Sequence, residues 1–117
     1  KQRPIVLDAL APADYQERLG TGLLCRFTSA DGRELFVAGA AADPAAKSKG
    51  LVKLGGDFRT LFSEGLGSPE ATQAGGRFSD GNVTAELDAN GAQAALTVSI
   101  ADGNKARFDG GRWNCGA

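Results

Sequence analysis

From Leu23 onward apolar and polar residues alternate in short runs, and glycine-containing pairs separate the runs. A period of two with turn residues between runs predicts half-buried β-strands joined by tight turns. The pattern is clearest between Val83 and Ile100. A two-residue turn at Asn90-Gly91 places Leu87 opposite Ala94, Ala85 opposite Leu96 and Val83 opposite Val98, while Glu86, Asp88, Thr84, Gln93 and Thr97 take the other face. A three-residue turn at Asp102-Gly103-Asn104 then pairs Ile100 with Ala106 and Val98 with Phe108. Residues 82–109 therefore read as a three-stranded meander with one apolar face.

The stretch Leu23 to Gly39 reads as two strands around Asp31-Gly32. Two registers are open to it. A two-residue turn puts Cys25, Phe27, Phe36 and Ala38 inside and leaves Leu24, Leu35 and Val37 as an apolar outer patch. That patch requires a cover, either the N-terminal segment or a second copy of the chain in a homodimer. A three-residue turn instead brings Leu35 and Val37 in beside Phe27. Farther on, 40–50 reads as an irregular crossing loop, and Leu51 to Leu54 and Thr60 to Ser63 as short strands around Gly55-Gly56-Asp57. Glu64 to Gly76 reads as a long surface loop with a cap at Ser68-Pro69-Glu70. Arg77 to Ser79 is the next strand, Asp80-Gly81-Asn82 a turn, and Arg112 to Cys115 the last strand-like run.

Residues 1–21 differ from the rest. Pro12 to Leu19 has the signals of a short helix: proline at its start, Asp14 and Arg18 spaced i,i+4, and Gly20 at its end. Two turns of helix need something to lie against, so this stretch reads as a lid or plug. The division expected is an extension over 1–21 and a β domain over 22–117. The fold class that follows is all-β, a small antiparallel barrel of about seven or eight strands, favoured over an open sandwich because closure removes exposed edges.

Composition adds to this picture at three points. The large apolar residues are few beside the 17 glycines of this 117-residue chain, so the core is thin and a covalent staple matters. Cys25 and Cys115 are the only cysteines; bonded, they would contribute about 4–5 kcal/mol on the chain-entropy model. A bond implies an oxidising compartment, whereas two buried free thiols would imply the cytosol. With the bond, Lys1 reads as following a removed export segment or lipid-anchor linker, which places the protein in the periplasm or outside the cell. Finally, 13 basic and 14 acidic residues with no basic cluster argue against a nucleic-acid partner. No apolar run is long enough to span a membrane.

The chemistry the sequence offers is sparse. With no histidine, the usual general base and the commonest metal ligand are missing and a Ser-His-Asp triad is impossible. Most aspartates stand beside glycine or asparagine, where they serve as turn residues. Asp80-Gly81-Asn82 and Asp102-Gly103-Asn104 lack the spaced oxygen ligands and late glutamate of a calcium loop. The double glycines are not followed by Lys-Ser/Thr and open no helix, so they mark turns and bends rather than phosphate loops. No catalytic residue, cofactor or metal is expected, and recognition through a loop on a rigid scaffold remains. The best candidate loop is Glu64 to Phe78, with Arg77 as the charged side chain near its end; a connection with no binding role is the alternative.

Several of these residues together resemble the bacterial periplasmic and membrane-bound inhibitors of c-type lysozyme. The likeness covers roughly Leu23 to Cys115. It rests on Leu24-Cys25-Arg26, the terminal Cys115, Ala74-Gly75-Gly76-Arg77-Phe78-Ser79-Asp80-Gly81, and Gly91-Ala92-Gln93-Ala94-Ala95-Leu96, which matches a Gly-x-x-Ala-x-Leu strand. The resemblance implies an eight-stranded, disulfide-closed antiparallel barrel that is exported and sometimes lipid-anchored. It also implies a partner-binding loop at Ala74, Gly75, Gly76, Arg77 and Phe78. In the family this loop carries Ser-Gly-x-x-Tyr, and its serine enters the lysozyme cleft. Here Ala74 and Phe78 stand at the serine and tyrosine positions, and Asn90 replaces the lysine expected before the later glycine. The partners expected are thus a c-type lysozyme or another envelope protein. The alternative is a structural or ligand-carrying envelope domain that shares only the barrel.

Overall fold

Eight antiparallel strands follow a short helix in chain order and close on themselves. The computed structural model describes residues 5–19, 23–40, 46–65, 72–90, 93–101 and 103–116. The elements are α1 (Pro12–Leu19), β1 (Leu24–Thr28), β2 (Glu34–Gly39), β3 (Lys49–Leu54), β4 (Asp57–Ser63), β5 (Gly75–Ser79), β6 (Val83–Asn90), β7 (Gln93–Ile100) and β8 (Lys105–Gly116). Each strand pairs with its sequence neighbour, and β1 pairs with β8 to shut the barrel. The expected helix end at Gly20, the cap at Ser68-Pro69-Glu70 and the turn glycine Gly91 lie outside the described residues.

The closing seam also holds the disulfide. Cys25 stands directly opposite Cys115 and is bonded to it, and Phe27 stands opposite Trp113 on the same face. The stretch 105–116, read as two strands, is one. Its first half pairs with β7 and its second with β1, and Gly110, at φ +73°, sits at the register shift in the β7–β8 ladder, between the pairs Leu96–Phe108 and Ala94–Gly111. Strand β8 can turn this corner because Gly111 has no Cβ; one built there would lie 2.6 Å from the Thr28 carbonyl oxygen.

Inside, Phe27, Phe36, Phe78, Leu61, Leu96 and Val98 are fully buried or nearly so. Phe36 organises this core: it meets Phe78 edge-on at 5.1 Å between ring centroids and stacks on Trp113 at 5.9 Å. The apolar face predicted for β6 and β7 is the one that turns inward. Two registers differ from expectation by two residues each. The β6–β7 pairs are Leu87–Leu96, Ala85–Val98 and Val83–Ile100, and the β7–β8 pairs are Val98–Ala106 and Leu96–Phe108. A two-residue slip leaves every side chain on its own face, so alternation alone cannot detect it. What decides the second case is Gly103: at φ +95° it takes the left-handed last position of the connection 101–103, and the Ile100 N–H bonds to the Asn104 carbonyl.

In the opening hairpin the body follows the two-residue register, with Cys25 opposite Ala38 and Phe27 opposite Phe36, before a bulge at Phe27–Thr28 widens the turn. Leu24 and Val37 face outward, as that register requires, and form a second apolar cluster with Leu51, Leu10 and Tyr15. The N-terminal segment is therefore the cover, and the apolar face that motivated a homodimer is occupied by the chain's own helix. Leu35, expected on that outer face, belongs to the main core cluster, because Leu7 and Ile5 reach the same cluster where β2 and β3 part. Tyr15 is anchored further by the Arg26 Nε–H, which donates to its hydroxyl at 3.1 Å. Among the described residues no helix is long and apolar enough to cross a membrane.

Candidate functional site

The residues singled out for partner binding, Ala74 to Phe78, do not form a loop tip. Ala74 lies in a turn, and Gly75 through Phe78 already belong to β5, which begins two residues before the expected Arg77. Gly75 is obligatory there: its φ is +81°, and a Cβ would sit 2.9 Å from the Leu87 carbonyl oxygen on β6. Alternation then points Phe78 into the core, where it is 1% exposed, and Arg77 out to solvent. Phe78 is thus a packing residue of the barrel core. The turn before β5 is tied to the closing strand by Trp113, whose indole N–H donates to the Gln73 carbonyl at 3.1 Å.

Arg77 is fixed by two carboxylates. It donates through Nη2 to Glu86 Oε2 at 3.2 Å, and Nη1 lies 3.7 Å from Glu64 Oε2. Arg77, Glu86, Thr97 and Arg107 are consecutive partners across β5, β6, β7 and β8, so they form one row on the outer wall. Arg107 extends the row with bonds to Thr97 Oγ1 at 3.5 Å and to Asp109 at 2.7 Å. The charged groups of the row are solvent-exposed, so each ion pair contributes little to stability by itself. Their value is geometric, because guanidinium and carboxylate groups are held in fixed order on a rigid sheet.

Shallow cavities flank the row. One of about 280 Å³ is lined by Gly76, Arg77, Glu86, Asp88, Thr97 and Arg107. A second of about 180 Å³ shares Asp88 and Arg107 with it and continues toward Asp109 and Gly110. On the other side of Arg77, about 140 Å³ opens between Ser48, Ser63, Glu64 and Gly75. Arg77 is therefore a charged ridge between two depressions. Gly75, Gly76 and Arg77 stand out in the sequence as candidate contact residues, whereas Glu86, Asp88, Thr97 and Arg107 do not. Only a correct register places these four beside Arg77.

Two turn aspartates, Asp31 and Asp80, have lowered titration. The Ser29 hydroxyl and the Arg33 guanidinium hold Asp31 below the usual carboxylate range. For Asp80, burial works upward, but the backbone N–H groups of Val83 and Asn82 together with Arg59 outweigh it and bring the carboxyl down. The second case is an aspartate ordering its own turn: Asp80 Oδ1 accepts from Asn82 N at 2.9 Å and from Val83 N at 2.8 Å. No protein-family model matches this chain, and comparison with curated proteins and with solved structures gave no match.

Proposed function

We propose that this barrel is a non-enzymatic protein-binding domain of the bacterial cell envelope, acting through the outer wall centred on Arg77. The observation that carries the reading is Arg77 itself, braced by Glu64 and Glu86 between two depressions on a strand paired along its whole length with β6. Pre-organised charge of this kind gives specificity and limits the entropy lost on binding. The Cys25–Cys115 bond fits an oxidising compartment, periplasmic or extracellular.

The specific partner suggested by the sequence resemblance is a c-type lysozyme. Insertion of loop hydroxyls is not available to this chain, since alanine and a buried phenylalanine stand at those positions, so the contact would run through Arg77 and its row. A ligand-carrying role is less favoured, because Phe27, Phe36, Phe78 and Leu96 fill the space between the walls. The test is titration of c-type lysozyme turnover with the purified protein beside its Arg77→Ala variant. Inhibition that weakens about tenfold or more in the variant is expected for a hot-spot arginine. Unchanged turnover at micromolar protein removes the lysozyme reading.

A further inference from the structure

Strands β2 and β3 pair only over Val37–Gly39 and Lys49–Leu51. Beyond those pairs they part, and the N-terminal segment lies in the gap with hydrogen bonds to both sides. On the β3 side, Leu7 bridges Leu54, Asp8 N donates to the Lys53 carbonyl at 2.9 Å, and Gly55 N donates to the Val6 carbonyl at 2.9 Å. The Asp8 carboxylate also takes the Gly56 N–H at 2.8 Å. On the β2 side, Leu10 N donates to the Glu34 carbonyl at 2.8 Å, and Arg33 Nη1 to the Leu7 carbonyl at 3.4 Å. Leu7 is 3% exposed and belongs to the barrel core, while Leu10 joins the outer cluster. The gap is thus a strand-acceptor slot, filled by a segment that reads as an apolar residue two before Leu7, an acid after it, and a second leucine.

The covalent closure of the barrel does not include this segment. The disulfide encloses residues 25–115 and locks the β1–β8 seam, so residues 5–19 lie outside the covalent loop. In sequence only Gly20, Thr21, Gly22 and Leu23 separate residues 5–19 from β1. We propose that the β2–β3 slot is an exchange site, and that two copies of this chain trade N-terminal segments to form a reciprocal dimer. Every contact made within one copy is remade between copies, so the balance turns on concentration. So small a sequence separation gives the chain's own segment an effective concentration roughly in the millimolar range, so the monomer prevails in dilute solution and exchange requires crowding or refolding at high protein concentration.

The experiment uses the full chain with its disulfide intact. Equal amounts of ¹³C-labelled and unlabelled protein are unfolded together and refolded at about 1 mM. Dimers are expected, about half of them mixed, with isotope-filtered contacts from Leu7 of one copy to Leu54 of the other. Refolding to monomer alone, or dimers whose Leu7–Leu54 contacts all stay within one copy, overturns the proposal. As a second arm, a free peptide of residues 1–19 is added to the Leu7→Asp full chain, which cannot seat its own segment. A saturable rise in unfolding temperature supports the slot, and a folded variant indifferent to the peptide overturns it. Should Leu7→Asp fail to fold, the labelled-mixture result decides alone.

Discussion

Glycine placement shows how little slack single positions have. A Cβ on Gly111 would meet the Phe27 ring at 2.5 Å and the Thr28 carbonyl at 2.6 Å, and the latter is backbone that can move only by disturbing the closing seam. Gly111→Ala is expected to destabilise the protein by about 1–3 kcal/mol. Thermal unfolding followed by circular dichroism checks this, with Gly65→Ala as the control, because a Cβ there meets nothing within 4 Å. Asp80 gives a prediction with a definite sign. Its carboxyl sits below the reference value of 3.8, so the ionised form stabilises the folded state above that pH, and the contribution is lost as pH falls through the lowered value. The gap in unfolding temperature between the wild type and Asp80→Asn should therefore be largest near neutrality and shrink toward pH 2. A gap independent of pH would contradict the assignment. That Asp80 orders a turn was readable from its glycine and asparagine neighbours, because the chemistry is local. That Phe78 is a core residue was not, because it depends on which face of β5 turns inward.

At the scale of elements, α1 illustrates a helix too short to persist alone. Asp14 reaches back to the Ala11 N–H at 2.9 Å and caps its start, but its anchor is Tyr15, 2% exposed against Leu24, Val37 and Leu51. Two substitutions separate packing from polarity. Tyr15→Phe loses only the bond from Arg26 and should cost about 0.5–1.5 kcal/mol. Tyr15→Ala also opens a cavity under the helix and should cost about 3–5 kcal/mol. Equal urea midpoints for the two variants would mean that the ring carries no load. The need for such a cover was legible, since the register chosen for β1 and β2 left Leu24 and Val37 outside. The gap between β2 and β3 was not, because nothing in the local pattern of either strand says that pairing stops at Val37 and Leu51. The same limit hid most of the candidate site. With registers two residues off, Glu86 would face Ala95 and Arg107 would face Ser99, and the row from Arg77 to Arg107 disappears although each strand is correctly assigned.

For the whole molecule, the barrel is closed twice at one place. Five residue pairs join β1 to β8 through the backbone, and Cys25–Cys115 joins the same strands covalently across a separation of 90 residues. This much could be read from the chain, because one cysteine lies in the first strand and the other in the last, and an up-and-down barrel makes those two neighbours. The two closures act on different states: hydrogen bonds and the Phe27–Trp113 pairing stabilise the folded seam, while the disulfide chiefly restricts the unfolded chain. Replacing both cysteines by alanine should therefore leave the fold, and so the far-ultraviolet spectrum, unchanged while lowering stability by about 2–5 kcal/mol. The urea midpoint should fall accordingly, and the dependence on denaturant should steepen as the unlinked chain exposes more surface on unfolding. If the double variant instead loses its strand signal, the backbone seam cannot hold the barrel shut, and the covalent bond is a condition of the fold rather than an addition to it.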